Sequence, residues 1–254
     1  MKPIIVFDFD GVVCDSTAEC MVTSWNAWER WHGRSGYRPS LDDFSKSERD
    51  AFRPLRPYVR GAGEYYVLRR CLEENIPISG QSDFENYCQA WMQYQSSFKE
   101  VFFKERARMR AENLQGWLDL HPVWPEVVNV FEKLYYEHRA YIATLKDGES
   151  VRLIFAAHNV SLSARHLLDQ SKIANKLAAL EMIRNVKGCS VQDIVFLDDN
   201  ALHLLEPLQA GYPCYLTTWG NTLPEYRKIA ETNGIPLADL QGLDSIVMGR
   251  KKRA

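Results

Sequence analysis

The sequence predicts an α/β fold: a doubly wound parallel sheet interrupted by an all-helical insertion. Three observations carry this. Short, continuous apolar runs recur along the chain, the pattern of strands buried on both faces. Amphipathic helical stretches separate these runs in the second half, and strand alternating with helix means right-handed βαβ units. About a hundred residues directly after the first run show several helical patterns and no convincing strand.

The first strand is Ile4, Ile5, Val6 and Phe7, ending at Asp8-Phe9-Asp10-Gly11. Residues 16–120 follow as the helical insertion. Met21, Trp25, Trp28 and Trp31 form an aromatic stripe there, the spacing of a core face rather than a cofactor box. Ser40-Leu41-Asp42-Asp43 and Ser82-Asp83-Phe84-Glu85 have capping-box spacing. Phe84, Tyr87, Cys88, Trp91, Tyr94 and Phe98 then read as one face of a single helix. Beyond residue 120 a helix is expected over 125–138, with Pro125 in its first turn. Strands are expected at 140–144, 194–197 and 214–216, and helices at 151–158 and 173–186. The domains are therefore a core of residues 1–15 with 121–254, and an insertion of 16–120.

Composition narrows the function. The 254 residues include 31 Lys and Arg against 33 Asp and Glu, a net charge of -2. A chain that binds nucleic acid or an anionic membrane over its whole surface is normally basic, so neither partner is expected. The six cysteines, at positions 14, 20, 71, 88, 189 and 214, include no C-x-x-C pair and read as reduced core thiols. The apolar run before Asp8 is too short for a signal-peptide core, and no run approaches the roughly 18 residues of a membrane span. A soluble, cytoplasmic protein is expected. The basic tail Arg250-Lys251-Lys252-Arg253 reads as a solvated terminus.

The chemistry lies at strand ends. Asp8 and Asp10 follow the first strand, and sites in open α/β sheets form outside the carboxyl ends of strands. Asp198 and Asp199 end a second apolar strand in the same way. Carboxylates gathered like this are costly without a cation, and an oxygen-rich set suits a hard divalent ion, most simply Mg2+. Thr144 closes a third strand with a hydroxyl, and Lys172 opens the helix before the second acidic strand. Nucleophilic carboxylate, cation, hydroxyl and ammonium together make a phosphoryl-transfer constellation.

In these residues the sequence resembles the haloacid dehalogenase superfamily, most closely its phosphatases with a helical cap inserted after the first strand. Four motifs occur in order: Asp8-Phe9-Asp10-Gly11-Val12-Val13, then Ala143-Thr144, then Lys172 with Lys176 one turn on as the alternative, then Asp198-Asp199. The resemblance implies a Rossmann-like core and a helical cap. It implies that Asp8 attacks phosphorus to form an aspartyl phosphate, and that Asp10 protonates the leaving alcohol and then activates water. Thr144 and Lys172 are implied to bind phosphoryl oxygens. Asp8, Asp10 through its carbonyl, Asp198 and Asp199 are implied to hold Mg2+. Gly11 gives the tight backbone path beside the phosphoryl group. The superfamily's dehalogenases lack the second aspartate, so Asp10 argues against dehalogenation.

The expected function is therefore Mg2+-dependent hydrolysis of a small phosphorylated metabolite by a monomer or homodimer. The alternatives are a phosphomutase using the same residues, or a protein of the same fold that binds without turnover. Between residues 53 and 70 the chain carries Arg53, Arg56, Arg60, Arg69 and Arg70 against Glu64 alone. Arg56 and Arg60 are expected to meet the non-reacting part of an anionic substrate, whereas Arg69 and Arg70 suit a solvated helix face.

Overall fold

Strand β1 (Ile4–Phe7) is wholly buried and directly precedes the insertion. The computed structural model describes residues 2–249, so the basic tail lies outside the described residues. The chain divides into two compact units, Met1–Asp15 with Val123–Ala254, and Ser16–Pro122.

The inserted unit contains α1 (Thr17–Trp31), α2 (Lys46–Phe52), α3 (Tyr65–Glu74), α4 (Gln81–Ala90), α5 (Met92–Glu112) and α6 (Leu114–Asp119). No strand occurs in it among the described residues. Helix α1 packs against α5, and a buried ion pair ties them: Arg106 Nε and Nη2 donate to Glu19 Oε1 and Oε2 at 2.7 and 2.9 Å. Removing one partner of such a pair typically costs about 3–5 kcal/mol, because the other charge is left buried. Met21 and Trp28 of the aromatic stripe are core residues, and Trp25 and Trp31 are half-buried beside them.

Four details of the insertion differ from expectation. Ser40 does form a capping box, but it closes a single 3-10 turn at Leu41–Asp43. Ser82 lies inside α4, whose N-cap is Gly80. The aromatic face from Phe84 to Phe98 spans two helices broken at Trp91; Gln95 Nε2 donates to the Cys88 carbonyl at 2.6 Å, satisfying one of the acceptors freed at the end of α4. Arg69 is not solvated: it is buried, and its guanidinium donates to Ser24 Oγ at 2.9 Å and to the Met21 carbonyl.

The core continues with α7 (Pro125–Tyr136), β2 (Ala140–Ala143), α8 (Gly148–Ala157), β3 (Leu167–Leu168), α9 (Lys176–Lys187), β4 (Ile194–Asp198), α10 (Ala201–Gln209), β5 (Cys214–Thr217), α11 (Pro224–Thr232), β6 (Leu237–Ala238) and α12 (Leu243–Val247). The six strands form one parallel sheet in the order β3-β2-β1-β4-β5-β6. Both faces are covered. Ile4 and Val6 join a core with Leu180 and Ile183 of α9 and Leu204 of α10. Phe7 meets Phe131 of α7 at 5.6 Å, and Phe131 meets Phe155 of α8 at 4.7 Å between ring centroids. Apolar layers on both sides are why β1 and β4 are unbroken apolar runs rather than alternating ones. Among the described residues no helix is long and apolar enough to cross a membrane, and all six cysteines are free thiols.

Candidate active site

Strands β1 and β4 are neighbours, with Phe7 in register with Leu197. Strand order reverses between them, and the crevice at such a switch point is where α/β sheets bind ligands. Asp8 directly follows β1, its N–H donating to the Leu197 carbonyl at 2.8 Å, which holds it level with the end of β4. Beyond it, Phe9 is buried and its carbonyl accepts from the N–H groups of Val13 and Cys14 at 2.9 and 3.1 Å. Gly11 completes this turn at φ +85°, a left-handed conformation that glycine adopts without a Cβ penalty.

Lys176 joins the two acidic strand ends. Its Nζ lies 2.5 Å from Asp8 Oδ1, 2.8 Å from the Ala143 carbonyl and 3.2 Å from Asp198 Oδ2. The first residue of α9 can reach this far into the site because Asn175 caps the helix, its side chain accepting from Ala178 N–H. Asp198 is fully buried; its Oδ1 accepts from Asn200 N–H at 2.9 Å, and His203 Nδ1 sits 3.2 Å from Oδ2.

Electrostatics set the two carboxyls apart. Burial pushes Asp8 up to about 6, against the pull of Lys176 and with the Asp198 charge adding to the rise. Burial would raise Asp198 too, but Lys176, His203 and the Asn200 N–H together outweigh it and hold Asp198 down to about 2. The same pair of carboxylates outweighs the desolvation of Lys176 and raises its ammonium above the ordinary value. At neutral pH the site is two carboxylates bridged by one ammonium.

No family model and no curated protein matches the sequence. Solved structures do match over nearly the whole chain. A protein from Lactobacillus delbrueckii with a provisional phosphoglycolate phosphatase assignment aligns at 16% identity and TM-score 0.62, covering 98% of this chain and 100% of its own. A haloacid dehalogenase-like family hydrolase from Streptococcus pneumoniae aligns at 12% identity and TM-score 0.56, covering 96% of both chains. This chain has the haloacid dehalogenase-like fold. CbbY from Rhodobacter sphaeroides, solved with xylulose-1,5-bisphosphate, shares that fold at 15% identity and TM-score 0.58, covering 96% of this chain and 99% of its own.

Within the haloacid dehalogenase-like fold the expected site residues divide. Asp8, Asp198 and Lys176 come together. Lys172 does not: it sits in a turn before α9 and its Nζ donates to the carbonyls of Ala164 and Leu167 at 2.6 and 2.8 Å. The buried Ile173 continues the helical period, but it too belongs to that turn, its N–H donating to the Asp169 carbonyl at 3.2 Å. Thr144 is buried just past β2, and its Oγ1 accepts from Lys146 N–H at 3.1 Å. Lys146, absent from the expected set, is buried with its Nζ 3.2 Å from Asp10 Oδ1. Asp199 was expected beside Asp198 at a metal. Asp199 follows the last residue of β4, and its carboxylate lies against Gly11, one residue from Asp10, with Oδ2 accepting from Asn221 N–H at 2.9 Å. Among the described residues the side chains whose ligand atoms gather within 4.8 Å are Asp8, Asp198 and His203. That donor set of two carboxylates and one imidazole suits a divalent cation.

Arg56 and Arg60 lie in the inserted unit. Arg56 Nη1 donates to the Val59 carbonyl at 3.3 Å, and Arg60 Nη2 pairs with Glu85 at 3.2 Å.

The turn after β1 is pinned by a second glycine. A Cβ built on Gly220 would stand 1.9 Å from the Gly11 carbonyl oxygen, a backbone atom that yields only if the turn moves. Gly220→Ala is therefore expected to destabilise the protein by about 1–3 kcal/mol, the usual range for overpacking. A thermal melt that matches the wild type would show that the turn yields freely.

Proposed function

We propose that this protein is a Mg2+-dependent phosphatase that hydrolyses a small phosphorylated metabolite through an aspartyl phosphate on Asp8. The observation that carries the reading is the Asp8–Lys176 pair at the switch point, with Asp198 on the neighbouring strand end. A carboxylate aimed from a strand end and tethered by a buried ammonium is a positioned nucleophile.

In the first half-reaction an Asp8 oxygen bonds to phosphorus as the ester oxygen leaves, taking a proton from the Asp10 carboxyl. In the second, water gives a proton to the Asp10 carboxylate and displaces Asp8 from phosphorus, releasing inorganic phosphate. Lys146 holds the Asp10 side chain in place. Thr144 Oγ1 and Lys176 Nζ bind phosphoryl oxygens, and Lys176 keeps offsetting the charge of Asp8. A Mg2+ held by Asp8, the Asp10 carbonyl, Asp198 and Asp199 would offset the repulsion between an anionic carboxylate and an anionic phosphate. Arg56 and Arg60 are assigned to the rest of an anionic substrate on local charge alone. A sugar bisphosphate, the ligand named with CbbY, is the kind of molecule that would use them.

The test is phosphate release from a panel of sugar phosphates, sugar bisphosphates and phosphorylated acids, with Mg2+ and with EDTA. Release from at least one substrate that EDTA abolishes and Mg2+ restores is expected. Full activity in a chelated preparation, or release from no substrate and no aryl phosphate, overturns the proposal.

A further inference from the structure

His203 is a residue the proposed chemistry leaves without a task. It stands in the first turn of α10, five residues after Asp198, and among the described residues its ring nitrogen lies in a donor cluster with Asp8 and Asp198. Nδ1 lies 3.3 and 3.2 Å from the two Asp198 oxygens, and all three donors of the cluster are within 4.8 Å of one another. Two donors on a first-row ion at about 2.1 Å each are at most about 4.2 Å apart, so closing the cluster takes a contraction of about half an ångström. Asp8, Asp198 and Lys176 sum to a single negative charge, which a divalent cation overcompensates by one. The His203 side chain is about one-fifth exposed.

We infer that His203 is a nitrogen ligand of the cation bound by Asp8 and Asp198, and that it biases the site toward a transition metal such as Mn2+ over Mg2+. The reason is ligand chemistry. Mg2+ favours an all-oxygen, largely hydrated shell and gains little from imidazole. Mn2+ and the ions after it in the first row accept imidazole together with carboxylate. The inference rests on the proposed metal-dependent reading of this site, and it is tested without substrate.

The experiment titrates metal-free protein calorimetrically with Mn2+ and with Mg2+, and records electron spin-echo modulation of the Mn2+-loaded protein. Nitrogen modulation from a directly bound imidazole is expected in the wild type. His203→Ala should lose that modulation and bind Mn2+ about tenfold or more weakly, with Mg2+ affinity changed less than threefold. His203→Asn keeps an N–H that can bond Asp198 but no ring nitrogen, and it should behave like the alanine variant; it also serves if His203→Ala fails to fold. Parallel loss of both metals that asparagine repairs would make His203 a positioning residue for Asp198 and overturn the inference. Absence of nitrogen modulation in the wild type overturns it as well. Selective, His203-dependent Mn2+ binding by a protein that releases phosphate from nothing would support this inference while ending the phosphatase reading.

Discussion

Asp8→Asn reduces hydrolysis of an activated aryl phosphate to background, a loss on the order of a thousandfold or more, and leaves the protein folded. Asparagine keeps the shape of the side chain and removes the attacking charge. It also removes a carboxyl that burial has pushed from its ordinary 3.8 to about 6. Because the folded state holds that proton more tightly, ionising Asp8 weakens the fold as pH rises from about 4 through about 6. Below about 4 both states are protonated and the difference vanishes. In EDTA at pH 7, Asp8→Asn should therefore melt no lower than wild type, with any advantage closing as the pH falls to 4. The same shift sets an acid limb in the wild-type enzyme. The protonated carboxyl cannot attack phosphorus, so kcat/KM should fall on the acid side, and a divalent cation on Asp8 should draw that limb below the pH of about 6 at which the metal-free carboxyl titrates. Retention of more than a few per cent of the wild-type rate in Asp8→Asn would rule out the covalent mechanism.

Lys176→Met and Lys172→Met should separate just as sharply. Lys176 is buried, and its ammonium is the cation between Asp8, Asp198 and the Ala143 carbonyl. Methionine keeps most of its volume, so the variant isolates the charge. Two buried carboxylates left facing each other should cost about 3–5 kcal/mol of stability and at least a hundredfold in rate. Added divalent cation should recover part of the stability. Lys172 is exposed and holds two carbonyls of its own turn, so Lys172→Met should cost about 1–2 kcal/mol or less, with near-normal turnover. An inactive Lys172 variant beside an active Lys176 variant would reverse the assignment made from the distances.

The two lysines show how far the sequence is legible. Both stand near a helix start, and both could reach a phosphate. What separates them is where the helix begins, and the signal was present in Asn175, a good N-cap residue whose side chain accepts from Ala178 N–H. Strands β1 and β4 were readable because burial on both faces demands unbroken apolar runs. Strands β3 and β6 were not, since two residues carry no period. Asp8 and Asp198 were found from their place at strand ends. Lys146 was missed because its role depends on the loop after β2 meeting Asp10 from elsewhere in the chain, and His203 because its reach back to Asp198 depends on where α10 begins. Arg69 looked like surface because nothing near it in sequence announces the Met21 carbonyl that receives it.

The position of the insertion has a consequence for biosynthesis. Ile4 pairs with Ile194, about 190 residues later, and Ile5 with Ala140 on its other side. At roughly 5–20 residues per second of translation, β1 waits about 10–40 seconds before both neighbours exist. Residues 16–122 leave the ribosome long before then, and they hold their own contacts, including the Glu19–Arg106 pair. The strand that leads into Asp8 is thus made first and flanked last. A nascent chain stalled before residue 194 would present a formed helical unit and a bare N-terminal strand, with Asp8 and Asp10 displayed but no Asp198 to complete the site.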